Sequence, residues 1–303
     1  MFEKATKTQS RLRLALCGPA GSGKTYTALT VGSALGRVAV LDTERGSASK
    51  YADRFGFDVV ELDNYHPDDY RKVIKAAEAA GYDVLVIDSL SHAWSGKGGA
   101  LDLKDKATAR SRSGNSYTAW REVTPLHNAL VDAILGADLH VIATMRSKTE
   151  YILEDNGKGG KTPRKLGMAP VQRDGMEYEF DVVGDLDWSH NLVVSKTRCA
   201  DLSGAVIKQP EQTEEFAKLL ADWVGSGVKP QPRPKADPAQ VRAVIKEQMS
   251  TGAWVKDQVA ALLQCYGAKR VTDLNEEGVH TVWQTLQNQT GDEWTEAPEE
   301  KNG

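Results

Sequence analysis

Eight consecutive residues, Gly18-Pro19-Ala20-Gly21-Ser22-Gly23-Lys24-Thr25, fit the pattern G-x-x-x-x-G-K-[ST]. The pattern dictates a shape and a chemistry together. Glycines let successive backbone N–H groups turn inward and approach phosphate oxygens with no Cβ in the way. A helix starting at the end of the loop adds its positive N-terminal end. Lys24 brings a point charge to the β- and γ-phosphates, and the Thr25 hydroxyl is placed to ligate Mg²⁺. At average residue frequencies a chance match in a chain of this length is on the order of one in a hundred. The flanks also agree: Leu12–Cys17 reads as a short apolar strand, and the run to Leu35 reads as a helix stopped by Gly36. A nucleoside triphosphate with Mg²⁺ is the expected ligand, held by Gly18 through Thr25 with Tyr26 beside them.

Strand-like and helix-like segments then alternate. Val38–Leu41 reads as a second strand. Pro67 opens a helix whose apolar positions are Tyr70, Val73, Ile74 and Ala77, ending at Gly81. Val84–Ile87 is wholly apolar, as in a strand buried on both faces of a parallel sheet. Trp120, Val123, Leu126, Leu130 and Ile134 mark a long amphipathic helix. His140–Ala143 is another buried strand, and Val182–Trp188 with Asn191–Ser195 a closing pair. This alternation predicts an α/β fold with a mainly parallel sheet. Such sheets bind ligands outside the carboxyl ends of their strands. Asp88, directly after Ile87, lies at that edge and joins Thr25 as an expected metal ligand.

Composition narrows the class. With 40% hydrophobic and 26% charged residues among 303, the chain can build a buried core and is not a disordered polymer. No stretch approaches the roughly 18 consecutive apolar residues of a membrane span, and the N-terminus shows no secretory signal pattern. Three scattered cysteines form neither a disulfide framework nor a zinc ribbon, which favours a reducing cytoplasm. The six histidines show no HExxH spacing, so no catalytic zinc is expected. Gly, Ser and Pro crowd residues 225–238, GSGVKPQPRPKADP, which reads as a linker. The expected organisation is a core over 1–224, that linker, a small helical domain over 239–290 and an acidic disordered tail over 291–303. Residues 1–236 carry 32 basic and 31 acidic side chains; residues 237–303 carry 6 and 11. The acidic appendage is therefore expected to touch protein rather than to grip nucleic acid.

Hydrolysis needs a group to orient water. Ser89, not an acid, follows Asp88, which weighs against the AAA+ and helicase pattern of adjacent acids. Glu44, just past the second strand, is the next candidate. Here LDTERGSASKYADRFGFD followed by VLVIDSLSHAW resembles the core of RecA-like recombinases over about residues 11–210. The resemblance implies ATP as the nucleotide, Glu44 as the catalytic base and Tyr51 as the ring that stacks on adenine. It implies that Asp88-Ser89 is the metal-associated pair, and that Lys196 and Arg198 reach the γ-phosphate of a neighbouring protomer. RecA itself has an amide sensor after its fourth strand; here Thr144-Met145-Arg146 follows, and sensing passes to Arg146 or Gln172. Within the superfamily, VIDSLSHAW through PVQRDGMEYEFDVVGDLDWSHNLVVSKTR is similar to phage ATP-binding proteins of the single-strand annealing class. That similarity implies a bacteriophage protein acting in the host cytoplasm. It implies ATP-stimulated binding and annealing of single-stranded DNA, a homo-oligomer (filament or ring), and a single-strand-binding protein as partner. Met1–Ser10 is too short for the helical arm that strings RecA filaments together.

In a RecA-like core, DNA is held by loops after the third and fourth strands. Residues 95–113 carry Lys97, Lys104, Lys106, Arg110 and Arg112 against two acids. Residues 146–165 carry Arg146, Lys148, Lys158, Lys161, Arg164 and Lys165 against three. Both read as long basic loops that would contact phosphates without sequence preference. Tyr117, Trp120 and Tyr151 lie near them as candidate stacking rings, although the spacing of Trp120 to Val123 and Leu126 favours a core position. Two other functions fit less of the chain: a nucleotide-switched interaction or loader module for replication, and a replicative-type helicase.

Overall fold

A computed structural model of the protein describes residues 4–111, 116–155, 161–229, 237–266, 268–274 and 276–288. They form two compact units, Met1–Lys229 and Pro230–Gly303. Unit 1 starts with β1 (Arg13–Gly18), α1 (Lys24–Leu35), β2 (Val38–Asp42), β3 (Phe57–Glu61), α2 (Pro67–Ala79) and β4 (Val84–Asp88). It continues through α3 (Ser91–Ser95), α4 (Ala100–Arg110), α5 (Ser116–Gly136), β5 (His140–Asp155) and β6 (Lys161–Pro170). It ends with β7 (Val182–Leu186), β8 (Asn191–Thr197), β9 (Val206–Lys208) and α6 (Thr213–Gly225).

The nine strands form one sheet in the order β3-β2-β4-β5-β1-β7-β8-β9, with β6 paired to β5. From β3 to β7 every neighbour is parallel; β8, β9 and β6 are antiparallel. This is the mixed α/β architecture of a P-loop NTPase core. Successive side chains of a strand face opposite ways, so each central strand feeds two cores. Leu14, Leu16, Val40, Val86 and Ile142 pack on the side of α1 and α6. Ala15, Cys17, Leu41, Leu85, Ile87 and Val141 pack on the side of α2 and α5. All six residues of β1 and all five of β4 are buried, which explains why both are continuous apolar runs or nearly so. The exception is Arg13, whose guanidinium donates to Leu12, Leu135, Ala137 and Leu139 carbonyls. It thereby satisfies the carbonyls at the end of α5, where a helix has no partners of its own.

Two segments expected to be loops are regular structure. Residues 100–110 of the first are α4, which is polar on most sides. It is held by Lys106–Asp102 pairing at i,i+4 and by burial of Ala100 and Ala107. Most of the second is a hairpin. The strand expected over His140–Ala143 runs on to Asp155 and pairs with β6 over Ser147–Asp155. Its inner half is apolar and buried in the sheet, and its outer half has exchanged sheet neighbours for β6. The edge strand β3 carried no signal of its own, because four of its five residues are exposed.

Unit 1 extends to Lys229 because α6 continues through Gly225 and Thr8 bridges to Val228. Unit 2 is three helices, α7 (Pro238–Thr251), α8 (Lys256–Cys265) and α9 (Glu276–Asn288). Asp237 and Gln240 close a capping box at the start of α7. Val241, Trp254, Leu262, Val282 and Leu286 form its core. The tail over 291–303 lies outside the described residues. Among the described residues no helix is long and apolar enough to cross a membrane.

Candidate active site

The carboxyl edges of β1, β2, β4 and β5 converge on one place. From β1 the chain enters the loop at Gly18, where an added Cβ would sit 2.6 Å from Ser22 Oγ and 2.8 Å from the Leu186 carbonyl. Gly21 and Gly23 have φ of 78° and 96°, the left-handed region that favours glycine. The loop thus curls over the start of α1. Lys24 folds back, donating to the carbonyls of Gly18 at 3.0 Å and Pro19 at 2.7 Å. Burial lowers the Lys24 pKa, and the nearby Asp88 and Glu44 carboxylates oppose that shift.

Asp88 ends β4 and is 2% exposed. The Thr25 hydroxyl donates to one of its oxygens at 2.7 Å and the Thr144 hydroxyl to the other at 2.5 Å. Burial raises the Asp88 pKa; the two hydroxyl hydrogen bonds work against that. Thr144 was not anticipated. It stands on β5, the strand inserted between β4 and β1, and only that insertion brings it to Asp88. One buried carboxylate beside one threonine hydroxyl is a hard-oxygen donor set that suits Mg²⁺, which keeps waters and takes its remaining oxygens from phosphates. Thr25 and Asp88 are the residues that would hold it. The buried Ser22 hydroxyl, inside the loop, has no protein partner.

Glu44 is carried out of β2 by Asp42. The two oxygens of that fully buried carboxylate accept from the Glu44 and Ala48 amides at 2.6 and 2.9 Å, turning the chain through left-handed Arg45 and Gly46. The Glu44 carboxylate does not stand free. Arg146 grips it with two bonds, Nε at 2.8 Å and Nη2 at 2.6 Å. Burial would raise the Glu44 pKa, but the hydrogen bonds and charge of Arg146 outweigh it and hold Glu44 below the usual glutamate range. Glu44 and Arg146 line a cleft of about 420 Å³ with Thr43, Arg45, Tyr65 and His92. Thr43 Oγ1 accepts from the Ser89 amide at 2.8 Å and lies 2.7 Å from His92 Nδ1.

Residues 10–218 match a family model described as AAA domain. The chain belongs to this AAA domain family. No curated protein matches the chain. The protein is therefore an AAA-type P-loop ATPase domain, a family whose fold implies nucleotide binding. The family match overturns the expectation that Ser89, standing where a second acid would follow Asp88, weighs against an AAA-type chain.

Other expected residues of this AAA domain fall into three groups. Tyr51 is half-buried against the core and lies 6.4 Å from Tyr26, which in turn meets Phe55 at 5.6 Å. These rings cluster beside the first turn of α1. Lys196 and Arg198 are engaged within the chain. Lys196 donates to the carbonyls of Glu177 at 3.2 Å, Phe180 at 2.6 Å and Tyr178, and Arg198 pairs with Asp181 at 3.2 Å. Gln172 is buried and bonded to Leu90, His127 and the amide of its neighbour Arg173, so it ties α5 to the end of β4.

The expected DNA contacts separate sharply. Lys104 pairs with Asp105 at 2.6 Å, Lys106 with Asp102 at 2.9 Å and Arg110 with Glu122 at 3.3 Å. Arg146 is bound to Glu44. Lys97 and Lys148 are exposed. Lys161, Arg164 and Lys165 lie on β6 opposite Asp155, Ile152 and Tyr151 in backbone register. Arg112 and Lys158 lie outside the described residues, as do the side chains of Tyr151 and of the three β6 cations.

Proposed function

We propose that this AAA-type domain binds single-stranded DNA under the control of ATP and Mg²⁺ and promotes annealing in phage recombination, working as a homo-oligomer with ATP hydrolysed between protomers. One observation carries the reading. A single strand, β5, places Thr144 on Asp88 and Arg146 on Glu44, and then continues as the stem of the hairpin that bears Lys148, Lys161, Arg164 and Lys165. Any displacement at the γ-phosphate end of β5 is therefore felt by the hairpin without passing through a loop.

When bound, Mg²⁺ would neutralise charge on the β- and γ-phosphates. The loop amides and Lys24 hold and orient those phosphates. Glu44, kept ionised by Arg146, has the charge a base needs to take a proton from water. It can do so once one of its oxygens is released from the guanidinium, and the incoming γ-phosphate is an anion that competes for Arg146. Arg198 is exposed and held by one acid, so in an oligomer it can change partners more readily than Lys196, which is held by three carbonyls.

Anisotropy of a labelled single-stranded oligonucleotide, titrated with protein with and without Mg-ATP at two salt concentrations, tests the reading. Binding should tighten with Mg-ATP, weaken with salt, and lose its nucleotide dependence in Lys24→Ala. Equal binding by wild type and Lys24→Ala in all conditions would overturn it. No binding at all would favour the nucleotide-switched interaction module, for which the separately cored, acidic unit 2 supplies a surface.

A further inference from the structure

The helices after β4 pair Lys104 and Lys106 with acids but present rings. Trp94, on α3, stacks on Trp120, on α5, with ring centres 5.6 Å apart and planes 17° from parallel. Both indoles are partly exposed. The edge of His127 meets Trp94 at 5.5 Å and closes the inner side of the stack. Trp120 is thus at the border of the core and not within it.

The adjoining stripe of α5 is Tyr117, Arg121, Thr124 and Asn128, positions spaced by four, three and four residues and so on one face. Tyr117 is 82% exposed, and Arg121 and Asn128 are exposed. Arg173, from the segment after β6, donates to the Asn128 side chain at 3.2 Å and adds a second cation at the far end. From Tyr117 to Asn128 the stripe is about 16 Å long. It holds aromatic and cationic groups and no acid.

We infer that this stripe, with the Trp94–Trp120 stack beside it, is a base-stacking platform for a single strand of nucleic acid. The inference deepens the proposed function and rests on it. Rings offer a base a π-face whatever its identity, and arginines follow the backbone phosphates. A duplex keeps its bases stacked on one another and gains nothing from exposed indoles. The platform is wired to the nucleotide site. Trp94 sits six residues beyond Asp88. The Leu90 amide donates to the Thr144 carbonyl at 2.9 Å, and Gln172 bridges the Leu90 carbonyl and His127 at 3.1 and 3.2 Å.

The test is tryptophan emission and anisotropy on the full chain, with Mg-ATP, against a single-stranded oligonucleotide and the same sequence as duplex. Single strand should quench emission and duplex should not. Trp120→Phe, which keeps a ring in place, should lose part of the quench while retaining nucleotide binding. Tyr117→Ser and Arg121→Ala, both surface changes, should each weaken single-strand binding at least threefold and leave duplex binding unchanged. A wild type that binds single strand without quenching, with Tyr117→Ser and Arg121→Ala binding as tightly, overturns the platform while the proposed function stands. A wild type that binds no oligonucleotide overturns both. Equal quenching by duplex overturns the single-strand assignment.

Discussion

Residues 95–113 and residues 146–165 each carry a surplus of three positive charges, five basic against two acidic in one and six against three in the other. Their surroundings set them apart. Residues 100–110 of the first fold as α4, where Lys104 and Lys106 meet acids of their own helix and Arg110 meets Glu122 on α5. Of the second, the described residues belong to β5 and β6, which pair with each other over Ser147–Asp155 and Lys161–Pro170. Equal net charge thus says little about an interface until the pairing of each charge is known: Asp102 and Asp105 are already in the count, and Glu122 is the acid that a tertiary contact adds. A cation already paired must exchange a carboxylate for a phosphate, so its contribution is smaller than that of a solvated one.

The largest expected effect is on the hairpin. Replacing Lys161, Arg164 and Lys165 by Glu should weaken single-strand binding on the order of a hundredfold and flatten the dependence of log K on log salt by about two. Replacing Lys104, Lys106 and Arg110 by Ala should cost several-fold less. Equal losses in salt-titrated anisotropy would break the comparison.

The inner and outer halves of β5 sharpen it. His140, 7% exposed, accepts the Leu12 amide on Nδ1 at 2.9 Å, and burial lowers its pKa to about 4. The unfolded chain, with an ordinary histidine near 6.5, binds this proton more readily than the folded one between those values. Stability is therefore full above about pH 6.5 and falls as the pH drops toward 4. Denaturant unfolding should lose about 2 kcal/mol between pH 7.5 and 5. His140→Asn, which can still accept the Leu12 amide, should flatten the slope. A slope unchanged by the substitution would place the titration elsewhere.

Arg146 stands where the two halves meet. Without it, burial governs Glu44, and Arg146→Ala should move the acid limb of the kcat–pH profile for ATP hydrolysis to higher pH. An unmoved limb would mean that Glu44 is not the titrating base. The smallest effect is local: amides of residues 140–145 should exchange slowly and those of 148–155 quickly, since only the former lie under two layers of helix. Uniform protection along β5 would make the hairpin part of the core.

Much of the nucleotide site was legible because it is local. The loop from Gly18 to Thr25 is one uninterrupted run, and Asp88 follows its strand directly. Glu44 stood out as the acid just past the second strand; its role as base, and Tyr51, came from resemblance. What could not be read were partners far apart in the chain: Thr144 on Asp88, Arg146 on Glu44 across 102 residues, and the carbonyl cage around Lys196. Asp42 was a different omission. A buried acid ending a strand looks like any other, and only its two accepted amides reveal that it aims Glu44. The helix α4 was missed because a helix polar on most sides has little apolar period to detect.

By itself the sequence determined the alternation of elements, the phosphate loop and the place of Asp88 at the end of a buried strand, because burial on both strand faces and backbone approach to phosphate restrict residue types locally. Only the tertiary structure decided which charges of α4 are paired, which ring faces solvent and which strand links Asp88 and Glu44 to the hairpin. Those depend on strand order, and the insertion of β5 between β4 and β1 is a property of packing that no local pattern encodes.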